Sequence, residues 1–367
     1  MSHILEMKIT IVSGARPNFM KIAPIVHAID TARRIGKRIS YRLVYTGKQD
    51  DSSLEPSLFS DLEMKMPDVY LGVDSKNNTK LAAGIMLAFD KELTENPAQV
   101  VLVVDDLTAT MSCAIVAKKM GVKVAHLVAG TRSFDMNQPK EVNRMITDGL
   151  SDYLFTAGAM ANRNLNQSGR EEENVYYVGN ILIDTIRRNR TRLLKPLWAS
   201  AMQVDEGKYI LLTLNRRKLL KDKALMKSIL TTISQKAAGA MIIAPLHTYV
   251  SDSIKKLGLK LSNINIMPVQ NYLVFGYLVN HAKAIVTDSG NVSEEATFFG
   301  IPCITINSYA EHPETWKQGT NELVGEDSEK LADALDTLNS GEWKKGSIPE
   351  RWDGHTAERI VKILLGE

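Results

Sequence analysis

The alternation of short apolar runs with segments of helical periodicity is the feature that most constrains the fold of this chain. The first run, residues 8–13 (KITIVS), ends at a glycine, and apolar residues at helical spacing follow it. The other runs are residues 41–47, 99–106, 123–130, 152–158, 175–185, 208–215, 239–247, 263–270, 282–290 and 301–307. Strands buried on both faces are continuous apolar runs of this kind, so the sequence predicts parallel sheets with helices on both faces.

The length of 367 residues fits two domains, and the alternating runs form two series. A polar stretch rich in Arg and Lys, residues 187–207, separates the series. We therefore predict an α/β protein with two doubly wound, Rossmann-like domains, residues 1–186 and 187–350. A last helix within residues 351–367 is predicted to pack back on the first domain. Ligands of such sheets bind outside the carboxyl ends of the strands, so we expect the domains to face a cleft that holds the site.

The composition of the chain argues against several classes of partner and of binding site. The chain has 45 Lys and Arg against 42 Asp and Glu, an excess too small to indicate a nucleic-acid surface. Cys113 and Cys303 are far apart in apolar surroundings, which argues against a disulfide framework or a cysteine metal site. No apolar run approaches the length of a membrane span, and the start, MSHILEMKITIV, lacks the features of a secretory signal. We expect a cytoplasmic protein without membrane insertion, metal or cofactor.

A candidate anion site lies at residues 287–291 (TDSGN), where a strand is predicted to end and a helix to begin. Backbone N–H groups and the helix dipole at such a turn favour a phosphate. The alternative is an ordinary helix cap by Ser289 or Asn291, and the motif alone favours that alternative. Glu295, one turn further on, could accept hydrogen bonds from a ribose.

Arg16 and Lys21 lie at the start of the first predicted helix. The preceding residues 14–17 (GARP) lack G-x-G-x-x-G, so the dinucleotide fingerprint is absent. Cations at the amino end of a helix oppose its dipole unless an anion lies between them, which favours a binding function here. Arg216 also follows a predicted strand, where a solvated basic turn is the better interpretation of the motif alone.

Asp106, His126 and His247 lie at or near predicted strand ends, where this architecture usually carries catalytic groups. A lone histidine is nevertheless more often structural. The chain has no H-E-x-x-H, G-x-S-x-G or G-x-x-x-x-G-K-[ST] motif, which argues against a zinc site, an α/β-hydrolase and a P-loop protein. The residues alone thus predict a two-domain enzyme or binding protein for a phosphorylated ligand.

Ten ordered segments resemble the non-hydrolysing UDP-N-acetylglucosamine 2-epimerase family. They are GARPNFMKIAPI, VYTGKQ, HLVAGTRS, PKEVNRMITDGLSDYLF, VYYVGNILIDT, LLTLNRRK, PLH, TDSGNVSEEATFFGIPCITI, HPETWKQGTNELVG and WDGHTAERIV. The resemblance implies a glycosyltransferase-B type fold, a homodimer, UDP or a UDP-sugar as ligand, and no cofactor. It also implies UDP contacts at Arg16, Lys21, His247, Ser289, Gly290 and Glu295, and a sugar site at Asp106, Asn143 and Arg144. We add Arg216, Asn291 and His312 as candidate contacts, and Asp106, Glu141 and His247 as candidate acid/base groups.

The family reaction eliminates UDP across C1 and C2 of the sugar and adds it back with a proton on the opposite face of C2. Val128 stands where the family motif H-V-E-A-G-L-R has a carboxylate, and Lys140 where P-E-E-x-N-R has another. Asn215 stands where T-x-H-R-R-E has a histidine, and His312 where E-R-P-E has an arginine. Loss of one positioned acid or base costs about 10² to 10⁴ in rate, so we predict absent or very slow ordinary epimerisation.

Three functions therefore stay open. The first is an epimerase in which Asp106, Glu141, His247 or Lys140 substitutes for the missing groups. The second is a nucleotide-sugar binding protein without turnover, and the third is a glycosyltransferase that passes the sugar to an external acceptor. Lys140 could pair with Glu141 or with a carboxylate of the ligand, which makes a UDP-sugar acid one candidate ligand.

Overall fold

The computed structural model describes residues 6–259 and 261–367, so the first five residues of the amino-terminal segment considered above lie outside it. The chain folds into two compact units. The first comprises the chain up to Arg188 together with Glu350–Glu367, and the second comprises Asn189–Pro349. Each unit is built on one parallel sheet, which confirms the predicted α/β class with two Rossmann-like units.

The first unit has a seven-stranded sheet in the order β3-β2-β1-β4-β5-β6-β7. The strands are β1 Met7–Ser13, β2 Ile39–Tyr45, β3 Val69–Tyr70, β4 Val100–Val104, β5 Lys123–Leu127, β6 Tyr153–Thr156 and β7 Val175–Tyr177. The helices are α1 Arg16–Arg34, α2 Pro56–Asp61, α3 Asn78–Glu95, α4 Thr108–Lys119, α5 Pro139–Leu150, α6 Ala159–Gln167, α7 Ile181–Asn189 and, at the chain end, α16 Thr356–Leu365. The strand order reverses between β1 and β4, so the turns after these strands flank the switch point of the sheet.

The second unit has a six-stranded sheet in the order β10-β9-β8-β11-β12-β13. The strands are β8 Tyr209–Thr213, β9 Met241–Pro245, β10 Ile264–Met267, β11 Ala284–Thr287, β12 Cys303–Thr305 and β13 Asn321–Leu323. The helices are α8 Leu197–Ala201, α9 Arg217–Lys221, α10 Lys223–Lys236, α11 Thr248–Lys255, α12 Tyr272–Asn280, α13 Gly290–Phe299, α14 Glu314–Lys317 and α15 Ser328–Ser340. Its switch point lies between β8 and β11.

Strand β8 shows why the strands are continuous apolar runs. Ile210 and Leu212 belong to one buried apolar cluster, and Tyr209 and Leu211 belong to another. Successive side chains point to opposite faces of a sheet, so both faces of this strand are buried. The edge strands β3 and β13 were not predicted, because runs of two and three residues carry too little periodicity to be recognised.

The described residues contain no helix that is long and apolar enough to cross a membrane. Cys113 and Cys303 are free thiols, and both are buried. Burial raises the pKa of both thiols well above the ordinary value, so neither is a reactive thiolate at neutral pH.

The last helix of the chain packs within the first unit. The carboxylate of Asp184, in α7, accepts the N–H groups of Thr356 at 3.1 Å and Ala357 at 2.7 Å, in the first turn of α16. Trp352 is buried, and its indole N–H donates to the carbonyl of Ala157 at 3.0 Å. Gly179 permits this packing, because a Cβ there would lie 2.1 Å from the carbonyl oxygen of Arg351.

We expect Gly179→Ala to destabilise the first unit more than Gly36→Ala does. Both glycines have positive φ, 104° and 87°, but nothing lies within 4 Å of a Cβ at Gly36. The difference in unfolding free energy between the two variants therefore measures the cost of the close contact with Arg351. Forced overpacking of this kind typically costs about 1–3 kcal/mol. Urea unfolding monitored by circular dichroism measures both variants, and equal midpoints would contradict the expectation.

Candidate functional site

Two residues with left-handed backbone lie at the carboxyl edge of the first sheet. Asp105 follows β4 with φ of 59°, and Val128 follows β5 with φ of 70°. The N–H of Asp105 donates to the carbonyl of Leu127 at 3.2 Å, so the two turns adjoin. A β-branched residue rarely adopts positive φ, and strain of this kind, about 1–3 kcal/mol, concentrates at functional sites. The backbone of Val128 is thus an indication of function that is independent of any sequence motif.

Two side chains of α1 hold the carboxylate of Asp105. Lys21 Nζ lies 2.6 Å from Oδ1, and Asn18 Nδ2 donates to Oδ2 at 2.9 Å. Asn18 Oδ1 accepts the N–H of Gly14 at 3.0 Å, which ties the turn after β1 to the turn after β4. Lys21 is almost fully buried. Asp105 therefore supplies the anion for Lys21, which needs no external anion at the helix start.

Helix α5 holds Asp106, the residue expected to act as an acid or base. Arg144 Nη2 lies 2.5 Å from Oδ2, and Lys140 Nζ lies 3.2 Å from Oδ1. Asn143 Nδ2 donates to the backbone carbonyl of Asp106 at 2.9 Å. Residues three and four apart share one face of a helix, which explains how α5 presents Lys140, Asn143 and Arg144 to one turn. The structure thus brings the expected sugar-site residues together.

Glu141 is buried, and both of its carboxylate oxygens accept hydrogen bonds within the chain. Oε2 accepts from the N–H and hydroxyl of Ser133 at 2.8 and 2.9 Å and from Arg144 at 3.2 Å. Oε1 accepts from the N–H of Phe134 at 3.3 Å. Burial alone would raise the pKa of this carboxyl, but Ser133 and Arg144 outweigh it and hold the pKa below its ordinary value. This geometry favours a positioning role for Glu141 over a role as a base.

A buried network that the sequence did not indicate supports the Asp105 turn. His126 Nδ1 lies 2.7 Å from Asp148 Oδ1, and His126 Nε2 lies 2.8 Å from the carbonyl oxygen of Asp105. A carbonyl oxygen only accepts, so Nε2 carries a proton. Burial alone would raise the pKa of Asp148, but His126 and Arg132 outweigh it and hold that pKa low. One feature of the sequence could have indicated this network: Glu141, Arg144 and Asp148 are charged residues that recur on one face of α5.

Arg16 is the first residue of α1 and is half-buried. In the part of the chain that the structure describes, its guanidinium has no hydrogen-bond or ion-pair partner. The first turn of α1 carries no acidic residue. Unlike Lys21, Arg16 therefore remains an uncompensated cation at the amino end of a helix, which favours an anionic ligand.

In the second unit, Asp288 joins the turns after β8 and β11. Its Oδ2 accepts the N–H groups of Asn215 and Arg216, each at 2.7 Å. Burial raises the pKa of Asp288 and outweighs these bonds. The guanidinium of Arg216 lies 5.4 Å from the ring centre of Tyr309, and the side chain of Asn215 accepts a hydrogen bond from Tyr249. Asn215 and Arg216 thus lie at the switch point of the second sheet.

The amino end of α13 carries the candidate phosphate motif. Ser289 is the residue before the first turn, but its side chain makes no capping hydrogen bond. Gly290 and Asn291 already belong to the helix, so Asn291 is not its cap, and Ser289 occupies the cap position without a side-chain bond to the first turn. A Cβ at Gly290 would lie 3.1 Å from a carboxylate oxygen of Glu311, which places that side chain beside the helix end.

Glu295 lies one turn inside α13 and is only 8% exposed. Among the side chains and backbone groups that the structure describes, its carboxyl has no hydrogen-bond partner. Burial, with a smaller contribution from Glu294, raises the pKa of Glu295 to about 8. An unpaired buried polar group costs about 1–3 kcal/mol, so this carboxyl indicates a ligand contact. Nearby, His312 Nε2 lies 3.7 Å from Glu294 Oε1.

His247 directly precedes α11 and is exposed. Its ring stacks on Tyr249 with a centroid distance of 5.6 Å and an interplanar angle of 14°. Tyr249 also bonds to Asn215, so His247 belongs to the same edge of the second sheet. In the described part of the chain no carboxylate pairs with His247.

Two parallel Rossmann-like sheets with polar clusters at their carboxyl edges define a protein of the glycosyltransferase-B type. The family model described as UDP-N-acetylglucosamine 2-epimerase matches residues 33–365. The chain belongs to that family, and the resemblance carried by the ten sequence segments is confirmed.

Similar proteins cover nearly the whole chain. A UDP-N-acetylglucosamine 2-epimerase of Methanocaldococcus jannaschii is 32% identical over 98% of this chain and 99% of its own length. A UDP-2,3-diacetamido-2,3-dideoxy-D-glucuronate 2-epimerase of Pseudomonas aeruginosa is 31% identical over 90% of this chain and 92% of its own. The crystal structure of the M. jannaschii enzyme in complex with UDP-GlcNAc and UDP matches 98% of this chain and 100% of its own with a TM-score of 0.87.

We expect Glu295→Gln to remove a pH-dependent loss of stability. A carboxyl whose pKa rises on folding holds its proton more tightly in the folded state, so its contribution to stability falls as the pH rises from about 5 to about 8. Over that range the free energy of unfolding of the variant should decline less than that of the wild type, as measured with urea. Glu342→Gln, a change at an exposed carboxyl of the same unit, is the control. Equal pH dependence in all three proteins would contradict the expectation.

Proposed function

We propose that this chain binds a UDP-sugar, with the nucleotide at the carboxyl edge of the second sheet and the sugar at that of the first. The main support is the buried carboxyl of Glu295, which lacks a partner among the described residues and lies one turn inside a helix without a side-chain cap. A phosphate at the helix end and ribose hydroxyls at Glu295 would satisfy these groups. The similar crystal structure that holds UDP-GlcNAc and UDP supports the same class of ligand.

The proposed ligand contacts follow the family resemblance, and the pairing of side chains decides which residues have a positioning role instead. The proposed nucleotide contacts are Arg16, Arg216, His247, Ser289, Gly290, Asn291, Glu295 and His312, and the proposed sugar contacts are Asp106, Asn143 and Arg144. We assign Lys21 and Glu141 a positioning role instead, because the ammonium of Lys21 holds Asp105 and the carboxylate of Glu141 holds Ser133 and Arg144. The family resemblance also implies a cytoplasmic homodimer, which sedimentation and cell fractionation would test.

Ordinary epimerisation requires groups that remove and deliver a proton at C2 of the sugar. Val128 offers no such group, and the amide of Asn215 is neither an acid nor a base near neutral pH. Asp106 remains, but its two oxygens pair with Arg144 and Lys140. We therefore propose that UDP-GlcNAc 2-epimerisation is absent or very slow in this protein.

A nucleotide-sugar binding protein without turnover is the second candidate function. The ion pairs of Asp106 and the hydrogen bonds of Glu141 favour it, since they use the two carboxylates of the sugar side for structure. A glycosyltransferase is a third possibility within the same fold, and product analysis with added sugar acceptors would detect it.

We expect Arg16→Ala and Ser289→Ala each to weaken the binding of UDP. A hydrogen bond to a charged group contributes about 1.5–3 kcal/mol, which corresponds to roughly 10- to 150-fold in Kd. Isothermal titration calorimetry with UDP gives the measurement. Arg34→Ala, at the exposed end of the same helix as Arg16, and Ser262→Ala, in an exposed turn, are the controls. Wild-type affinity in both test variants would show that the nucleotide binds elsewhere.

We expect the wild type to form no UDP-ManNAc and to incorporate no deuterium at C2 when UDP-GlcNAc is incubated in D₂O. The triple variant Val128→Glu, Lys140→Glu, Asn215→His restores the missing proton carriers and should gain turnover. Proton NMR at high enzyme concentration detects both products. Rapid exchange by the wild type would contradict the proposal and would indicate Asp106 or Glu141 as the base.

A further inference from the structure

We infer that Lys140 selects for a carboxylate on the sugar, so that the preferred ligand is a UDP-hexuronate rather than a UDP-sugar with a neutral hydroxymethyl group. The inference rests on the proposed function, because it takes the carboxyl edge of the first sheet as the sugar side. It deepens that function by naming the chemical class of the sugar and the residue that recognises it.

Among the described residues, Asp106 forms a cluster of charged side chains with Lys140, Glu141 and Arg144. Three of them are almost fully buried, with exposed fractions of 8% for Asp106, 4% for Arg144 and 2% for Glu141. Together these three carry a net charge of −1. The fourth, Lys140, is 56% exposed and makes the cluster neutral. Within this cluster, Lys140 is therefore the charge that a ligand can reach.

The two cations, Arg144 and Lys140, lie at different distances from the carboxylate of Asp106. Arg144 lies 2.5 Å from one oxygen, whereas Lys140 lies 3.2 Å from the other. Charge-assisted hydrogen bonds between nitrogen and oxygen are usually about 2.7–2.9 Å long, so the lysine contact is the looser one. A lysine ammonium has three donors on a flexible stem. It can therefore meet a ligand carboxylate while Arg144 keeps Asp106 paired.

Lys140 affects the discrimination between a sugar with a carboxylate and a sugar with a neutral hydroxymethyl group in two ways. Its ammonium attracts a carboxylate, and without it the remaining charge of −1 on the three buried side chains would repel one. A neutral hydroxymethyl group is neither attracted nor repelled to a comparable extent. The preference for a uronate therefore has two sources: the ammonium attracts its carboxylate, and it also cancels the negative charge that would repel that carboxylate.

Calorimetry with three ligands tests this inference: UDP, UDP-GlcNAc and UDP-N-acetylglucosaminuronic acid. The wild type should bind the uronate at least about tenfold more tightly than UDP-GlcNAc, as expected for one charge-assisted contact. In Lys140→Gln that ratio should fall to about one or below, with unchanged affinity for UDP. Lys140→Arg, which keeps the charge, should retain the preference. Lys119→Gln, a change at an exposed lysine that ends α4, is the matched control and should behave as the wild type.

The outcomes separate this inference from the proposed function. UDP binding without a preference for the uronate, or with the same preference in Lys140→Gln, overturns the inference and leaves the proposed function standing. If Lys140→Gln weakens the binding of UDP and of the uronate equally, the ammonium contacts a phosphate, and this result also overturns the inference. If the wild type does not bind UDP at millimolar concentration, the proposed function fails and the inference fails with it.

Discussion

In each unit one aspartate holds together the two turns that flank the switch point of the sheet. Asp105 follows β4 and is bonded by Lys21 and Asn18 of the helix that follows β1. Asp288 follows β11 and accepts the N–H groups of the turn after β8. Parallel strands diverge into separate turns at a switch point, and a carboxylate that accepts hydrogen bonds from the neighbouring turn or from the helix that follows it links the two turns. The placement of Asp106 and of α13 depends on these two carboxylates.

The pairing of charged groups separates structural residues from candidate ligand contacts. Glu141 and Asp148 are buried carboxylates whose hydrogen bonds and cations hold their pKa values low, so the fold accounts for their presence. Glu295 is also buried but has no partner in the described part of the chain, and burial raises its pKa. A buried polar group is costly unless it is paired, so the fold does not account for Glu295, and a ligand would.

Much of the fold and part of the site could be predicted from the sequence. The eleven apolar runs correspond to strands, because periodicity and burial on both faces are local properties of the chain. The edge strands β3 and β13 were missed, since they are too short to show a period. The residues of α5 around Asp106 were expected from motifs, and helix geometry places them on one face. The role of Lys21 was not predictable in the same way, because its partner Asp105 lies 84 residues away in sequence.

The sequence by itself determined the α/β class, the two series of strands and the residue types at the strand ends, because these follow from local pattern. It also determined the family, through ten short segments in fixed order. Only the tertiary structure decided which charged groups have partners. Arg144 meets Asp106 across 38 residues and His126 meets Asp148 across 22. Such pairings depend on how distant turns are brought to one edge of a sheet, and no local pattern encodes that distance.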